Sequence, residues 1–355
     1  MLALVGDLTG PTLWRTLMPI TALEKAGYPC GWDFLKNDAI SAIAPAFDGY
    51  LLSRASWPPE YRRMAEQWFS AARKAGKFVV YDADDDVFSS QETHRRVELN
   101  WTDGKSLEQL ESERFERIWA LQQCDGVTVT TQRLATIVRS YTSKPVIVVP
   151  NAIDLPWFQK IVRATPRTVK GLTIGWAGGK RHDRDVEQMA EAWERIARRY
   201  PEVTFVVQGY QPEVITQCVP SERLALLPWM PLQKYPMGAA QIDIGCAAIA
   251  DTPFNRAKSN IKAMEYAAAG AAVVASPTLY SGLVEHGYSG LIATTTDEWE
   301  TALAGLVESH AQRQIMARRL LRTVEKRHSL AGNLWRWPAA WAEIQERARG
   351  RIHVA

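Results

Sequence analysis

Cysteine is scarce: four in 355 residues, at Cys30, Cys124, Cys218 and Cys246, with no C-x-x-C and no paired spacing. That scatter argues against a zinc site and against a disulfide framework, and it suits a reducing cytoplasm. An excess of charge of one sign is lacking as well. Lys and Arg number 42 against 39 Asp and Glu, a net +3 that neither demands nor excludes an acidic partner such as nucleic acid. Met1 leads almost directly into a strand, with no basic segment and apolar run of the secretory kind, so no export signal is expected. The uncharged stretch 266–284 contains two glycines, a proline and several hydroxyls, and it reads as folded core rather than a membrane span. Neither an internal repeat nor a low-complexity segment is visible.

What is present is ordinary for a globular chain: 46% hydrophobic and 23% charged residues, at a length that suggests two domains. The chain opens with a strand over 2–5 and a turn over 6–11. A helix to about Lys25 follows, with Pro19 as a kink. Strand, glycine turn and helix is a Rossmann-like opening, in which Gly10 either admits a ligand to the backbone or simply makes a tight turn. Further strands are predicted at 49–53, with Arg54 just beyond the end, and at 77–81. The second of these runs into Asp82-Ala-Asp84-Asp85-Asp86. Ligands of open α/β sheets bind off the carboxyl ends of strands, and carboxylates gathered there repel one another unless partnered. Three readings fit: a metal-binding D-x-D, acceptors for substrate hydroxyls, or caps and salt bridges that organise the loop. The last two are favoured over metal, because no third ligand of suitable type stands nearby. Residues 89–103 read as a mobile loop carrying His94, a general acid or base if it is more than a lone loop histidine. After strands at 126–130 and 145–149, residues 155–169 have the proline-bearing look of a linker.

The second half restarts the pattern. A strand over 172–177 is followed by Gly178-Gly179-Lys180-Arg181-His182-Asp183-Arg184, then by an amphipathic helix over 185–200. Two glycines and three cations ahead of a helix start form a phosphate-type loop. Trp229, in Pro-Trp-Met-Pro, either lies against a nucleobase or fills core. The stretch 251–276 combines a loop, a helix capped by Ser259 or Asn260, a stop at Gly270 and a short apolar strand. Arg256, Lys258 and Lys262 crowd the N-terminal end of this helix, where the macrodipole is already positive. Three cations in that position call for an anion, and the stretch is read as a diphosphate cradle. The tail from Asn333 is an amphipathic helix with three tryptophans, expected to pack back on the N-terminal domain.

Five segments in order carry a resemblance: Tyr-Asp-Ala-Asp-Asp-Asp-Val-Phe (81–88), Val-Val-Pro-Asn-Ala-Ile-Asp (148–154), Ile-Gly-Trp-Ala-Gly-Gly with His-Asp-Arg-Asp (174–185), Phe-Asn-Arg-Ala-Lys-Ser-Asn-Ile-Lys-Ala-Met-Glu-Tyr-Ala-Ala-Ala-Gly (254–270) and Val-Val-Ala-Ser (273–276). The chain resembles GT-B glycosyltransferases of the retaining, family-four type, and within them a branch common in bacteriophage and bacterial surface-glycan gene sets. The resemblance implies an α/β fold of two facing Rossmann-like domains with parallel sheets. The first would cover 1–155 together with the returning helix 333–355, the second 165–330. It also implies a nucleotide sugar, a UDP-sugar above all, held mainly by the second domain, with no metal and no other cofactor.

On that resemblance Glu265 meets the ribose, while Lys258, Ser259, Asn260, Ile261 and Lys262 meet the diphosphate. Lys180, Arg181 or Arg184 would neutralise the departing phosphate, with Gly178, Gly179 and Trp229 completing the donor side. Arg54, Asp84, Asp85 and His94 would stand on the acceptor side. The acceptor hydroxyl would belong to a glycan, free or lipid-linked, or to a hydroxymethylated base in phage DNA, without stable membrane insertion. Two departures stand out. Ala257 occupies the place of the first glutamate of the usual pair, and Gly179 that of an arginine.

Overall fold

The computed structural model describes residues 1–35, 46–99, 102–180 and 182–352, with the backbone alone at 97 and 349–352. The chain forms two compact units. One comprises Met1–Asn151, Ala257–Ser259 and the C-terminal segment from Asn333; the other comprises Ala152–Arg256 and Asn260–Gly332.

The first unit is built on a six-stranded parallel sheet: β1 (Leu2–Val5), β2 (Gly31–Phe34), β3 (Gly49–Ser53), β4 (Phe78–Ala83), β5 (Gly126–Val129) and β6 (Val146–Val148), in the order β2-β1-β3-β4-β5-β6. All described pairings are parallel, with Leu2 opposite Gly31 on one side and Tyr50 on the other. Strand order therefore reverses between β1 and β3, and the loops leaving those strands diverge there. A crevice at such a switch point is where open parallel sheets bind ligands. β3 is buried at every position, as its continuous apolar run requires for a strand covered on both faces. β2 was not legible in the sequence. It is an edge strand with Trp32 and Phe34 exposed, so no buried run marks it.

The first helical stretch differs from a simple proline kink. Residues Leu13–Leu17 form a π turn directly ahead of Pro19. Pro19 has no N–H for the usual bond to the carbonyl four residues back, and Met18 bonds instead to the Leu13 carbonyl. Arg15 lies in this widened turn and is 1% exposed. The expected loop over 89–103 is also corrected, since Ser90–Glu98 is helical. Its Glu92 and Arg95 pair one turn apart. The expected linker over 155–169 holds a helix at Leu155–Ala164, started by the Asp154 side chain accepting from Trp157 N, with Pro156 in the first turn. The tryptophan-bearing tail (Arg336–Ile352) packs Trp337, Trp341 and Ile344 into the core of the first unit, beside Leu51 and Val80.

The second unit holds β7 (Thr173–Gly178), β8 (Thr204–Gly209), β9 (Leu224–Leu227), β10 (Ile244–Ala247), β11 (Ala272–Ala275) and β12 (Leu291–Ile292), ordered β12-β11-β10-β7-β8-β9. Here the switch lies between β7 and β10. The helix Ile261–Ala269, which follows β10, ends at Gly270 in the left-handed region, φ 84°. Its Tyr266 ring lies flat on Gly245 of β10, and the Tyr266 hydroxyl accepts from Ala177 N of β7 at 2.9 Å. A methyl group at Gly245 would stand 2.4 Å from that ring. Gly245→Ala is therefore expected to destabilise the protein by about 1–3 kcal/mol through overpacking. Urea unfolding measures this, and an unchanged midpoint would show that the ring gives way freely.

Candidate functional site

In the second unit the site grows from the switch point. Ala177 and Gly178 end β7, and the helix after β10 is sewn to them from the other side. Lys262, in the first turn of that helix, donates from Nζ to the Ala177 carbonyl at 2.6 Å and stands over the Trp176 ring at 4.7 Å. The loop between β10 and the helix is held by Asp185. One carboxylate oxygen accepts from Ala250 N at 2.9 Å and Asn255 Nδ2 at 2.7 Å, while the other lies 2.6 Å from His182 Nδ1. A single buried carboxylate thus ties the loop after β7 to the loop after β10. Deeper along the helix, Glu265 is 6% exposed and accepts from the Tyr235 hydroxyl at 2.7 Å. Burial, and then the Glu265 charge, push the Tyr235 hydroxyl well above its ordinary pKa, so Tyr235 stays a donor.

These contacts correct the expected cradle of three waiting cations. Arg256 is an exposed bidentate partner of Asp251, with both contacts at 2.6 Å, because the turn Asn255–Ala257 folds the chain back on that carboxylate. Lys262 is turned onto the carbonyl at the end of β7. Asn260 stands at the N-cap without a side-chain cap bond, followed by Ile261. Ser259 does not cap either. It accepts from Asn151 Nδ2 at 2.8 Å within the first unit, where Ala257 O also accepts from Thr131 at 2.8 Å and Lys258 lies half-buried. Lys180 and Arg184 are exposed on either side of the Asp183–Arg199 helix start. Arg181 lies outside the described residues.

The two glycines at the end of β7 and just beyond it have separate reasons. A Cβ at Gly178 would meet the Trp176 ring at 2.3 Å, so packing alone demands glycine there. At Gly179 the nearest atoms belong to Trp229, 3.7 Å away. Trp229 is 61% exposed and lies against Gly179 and Gly209, which excludes the core reading and leaves an aromatic face at the carboxyl edge of the sheet.

In the first unit the acidic segment after β4 divides its work. Asp82 is taken up inside: Arg15 grips it with Nη2–Oδ1 2.6 Å and Nε–Oδ2 3.0 Å, and Thr128 donates to Oδ1 at 2.6 Å. Asp86 accepts from Phe88 N and Ser89 N and so fixes the turn that precedes the Ser90–Glu98 helix. Those two follow the caps-and-salt-bridges reading. Asp84 does not. It is 9% exposed, its Oδ1 has no hydrogen-bond partner, and its nearest cation is Arg54 Nε at 3.5 Å. Arg54 sits in the left-handed region, φ 50°, a strained backbone for a residue other than glycine. Asp85 is half-buried and, with Asp7 from the loop after β1, adds to the negative field on Arg54. No group of three His, Cys, Asp or Glu among the described residues is arranged to hold a metal. Gly10 opens a helical turn with free space where a Cβ would stand, and its backbone needs no special conformation. His94 is exposed on the Ser90–Glu98 helix, with Nδ1 2.9 Å from the Ser90 carbonyl.

Residues 171–309 match the profile of glycosyl transferases group 1. By this match the protein is a glycosyltransferase. No curated protein sequence matches the chain. Solved structures share its fold at low identity. Sucrose-phosphate synthase from Thermosynechococcus elongatus is similar over 97% of this chain and 98% of its own, with 12% identity and TM-score 0.63. HepE from Anabaena, solved with UDP-glucose, is similar over 100% and 99%, with 14% identity and TM-score 0.62. The pneumococcal O-GlcNAc transferase GtfA, solved with UDP and GlcNAc, is similar over 83% of this chain and 56% of its own, with 14% identity and TM-score 0.54. The fold of the glycosyltransferase is thus GT-B, with two parallel six-stranded sheets and a C-terminal helix packed on the first. None of its described helices is long and apolar enough to cross a membrane.

The residues not singled out beforehand are Tyr235, Asp185 and Asn255. Asp185 stood in the quoted His-Asp-Arg-Asp motif; Tyr235, 30 residues from Glu265, left no local signal. Burial raises the Asp84 carboxyl to a pKa of about 7, against the opposing pull of Arg54. A carboxyl raised on folding binds more protons folded than unfolded between about pH 4 and 7, so it costs stability as pH climbs through that window. Asp84→Asn removes the cost. Its stability relative to the parent is expected to increase from pH 4 to pH 8 in urea melts at the two pH values. A difference independent of pH would show an unperturbed carboxyl.

Proposed function

We propose that the protein transfers a sugar with retention of configuration from a nucleotide sugar, a UDP-sugar above all, to an acceptor hydroxyl. The observation that carries this is the Tyr235–Glu265 pair, its carboxylate on the helix sewn to the end of β7, within the segment matched to the group 1 transferases. Glu265, held by Tyr235, is an acceptor-only carboxylate suited to the paired hydroxyls of a ribose. The amides of Asn260, Ile261 and Lys262 open a helix whose dipole favours a diphosphate. Lys258 and Ser259, in the chain entering that helix, are proposed as further diphosphate contacts. Trp229 offers an aromatic face for the base.

Glycosyl transfer builds negative charge on the departing phosphate while the sugar becomes oxocarbenium-like. Exposed Lys180 and Arg184 are the described cations proposed to answer that charge, with Arg181 between them in sequence. The charge is met by side chains and helix amides, so no metal is required. The choice of UDP is supported by HepE and GtfA, whose structures hold UDP-glucose and UDP with GlcNAc. On the first unit, Arg54 just beyond β3 and Asp84 and Asp85 just beyond the neighbouring β4 are proposed to take the acceptor hydroxyl, with His94 on the helix that follows. The four cysteines are free thiols, consistent with action in a reducing cytoplasm. The five motifs support a place in the phage and surface-glycan branch.

Calorimetry with UDP, followed by incubation with a panel of nucleotide sugars in EDTA, tests this. Saturable UDP binding, with hydrolysis or transfer that survives EDTA and gives the donor's anomer by NMR, is expected. Nucleotide binding with neither hydrolysis nor transfer would reduce the protein to a non-catalytic module, and activity lost in EDTA would restore the D-x-D metal reading. Glu265→Gln and Tyr235→Phe are each expected to weaken UDP binding about tenfold, or about 1.4 kcal/mol. Far-UV circular dichroism checks the fold of both variants, and unchanged UDP affinity in Tyr235→Phe would show that the pair does not position the carboxylate.

A further inference from the structure

The first unit also contains a cavity of about 440 Å³. One wall is Ser56-Trp57-Pro58-Pro59, just beyond β3. The other is Lys105 together with one face of the helix Leu107–Gln123, where Gln109, Ser112, Glu113 and Glu116 recur at helical spacing. The volume falls in the range of small-molecule sites, roughly 300–1,000 Å³. The Trp57 ring is fully buried against Phe69 and Trp119 in edge-on contacts, which gives the proline wall a rigid backing.

Charge decides what the cavity suits. Its cations are Lys105 and Arg117, its carboxylates Glu113 and Glu116, so the lining is neutral. Each is already engaged: Lys105 and Arg117 pair with Glu113, and Glu116 takes Arg62 Nη1 at 2.8 Å on both oxygens. Burial would raise the Glu113 carboxyl, but its bonds to Lys105 and Arg117 hold it below its ordinary pKa, so it is ionised at neutral pH. An anionic ligand would have to break these pairs and would meet two carboxylates. A neutral polyol would not, since its hydroxyls can donate to the carboxylates and exchange bonds with Gln109 and Ser112 while its C–H faces lie on Pro58 and Pro59.

The cavity adjoins the proposed acceptor residues. Ser56 follows Arg54 by two residues, and the Ala55 carbonyl between them accepts from the Tyr81 hydroxyl at 2.9 Å, which ties the segment to β4 and so to Asp84. From Arg54 to Pro59 the chain spans at most about 18 Å, a length that one oligosaccharide covers.

We infer that this cavity is a subsite for a neutral sugar unit of an oligosaccharide acceptor whose reacting hydroxyl is taken at Arg54 and Asp84. The inference rests on the acceptor role proposed for those two residues, and it makes the acceptor a glycan rather than DNA. Phosphodiesters would face Glu113 and Glu116 here and Asp84 and Asp85 at the sheet edge.

The test uses the full chain without donor. Saturation-transfer NMR is recorded with maltotriose, cellotriose, chitotriose and mannotriose, and with a single-stranded hydroxymethylcytosine oligonucleotide. At least one neutral trisaccharide is expected to bind. Ser112→Trp, which fills the cavity, should weaken it at least tenfold, Gln109→Ala about threefold, and Ser112→Ala less than twofold. UDP affinity and circular dichroism are expected to be equal in all four proteins. No trisaccharide binding, binding indifferent to Ser112→Trp in a folded protein, or binding of the oligonucleotide alone would overturn the inference. UDP binding by the parent is measured alongside, so failure of the donor reading is seen separately from failure at the cavity.

Discussion

The buried pair of Arg15 and Asp82 governs the carboxyl edge of the first sheet. Both side chains are 1% exposed, and an isolated charge at such depth would be prohibitively costly. Here the guanidinium reaches the carboxylate, the Val149 carbonyl and Asn151, and stacks on Trp337 at 4.6 Å, while Thr128 completes Asp82. One cation thereby draws together the first helix, β4, the end of β6 and the returning C-terminal helix. The π turn ahead of Pro19 lets a residue on that helix reach so far in. With Asp82 neutralised inside, the remaining carboxylates of the segment are freed for different tasks.

That division explains why neighbouring aspartates in one short run behave so differently. Asp86 fixes the turn ahead of the next helix, whereas Asp84 is buried beside a strained arginine with an oxygen that accepts no hydrogen bond. Buried polar atoms in folded proteins are normally bonded, so the Asp84 oxygen, with Arg54 Nε no nearer than 3.5 Å, sets this residue apart from its neighbours at the carboxyl edge of the sheet. The second sheet solves the same problem in another way. Asp185 and Lys262 turn to backbone and neighbouring side chains and hold two loops in register, and Glu265 accepts from the hydroxyl of Tyr235. Cations at a helix start are therefore not all ligand contacts; some are the staples that shape the loop.

Periodicity and glycine placement made most of the strands legible, because buried parallel strands read as short apolar runs between turns. The exposed edge strand β2 and the two-residue β12 carry no such run and left no trace. Helices at Ser90–Glu98 and Leu155–Ala164 were hidden by polar composition and by prolines, yet the second is started by an aspartate cap that lies in the sequence. At the site, Glu265 and the loop after β7 were visible as motif. Tyr235 was not, since its tie to Glu265 depends on how a separate turn packs beneath the helix.

The sequence by itself determined the alternation of strand and helix, the two-unit plan and the motif that marks a sugar-transfer enzyme, because these rest on local pattern and short spacing. Only the tertiary structure decided which charges are spent and which are available. Arg256 and Lys262 look like Lys180 along the chain. The difference between them lies in Asp251 and in the carbonyl of Ala177, partners that only folding brings within reach.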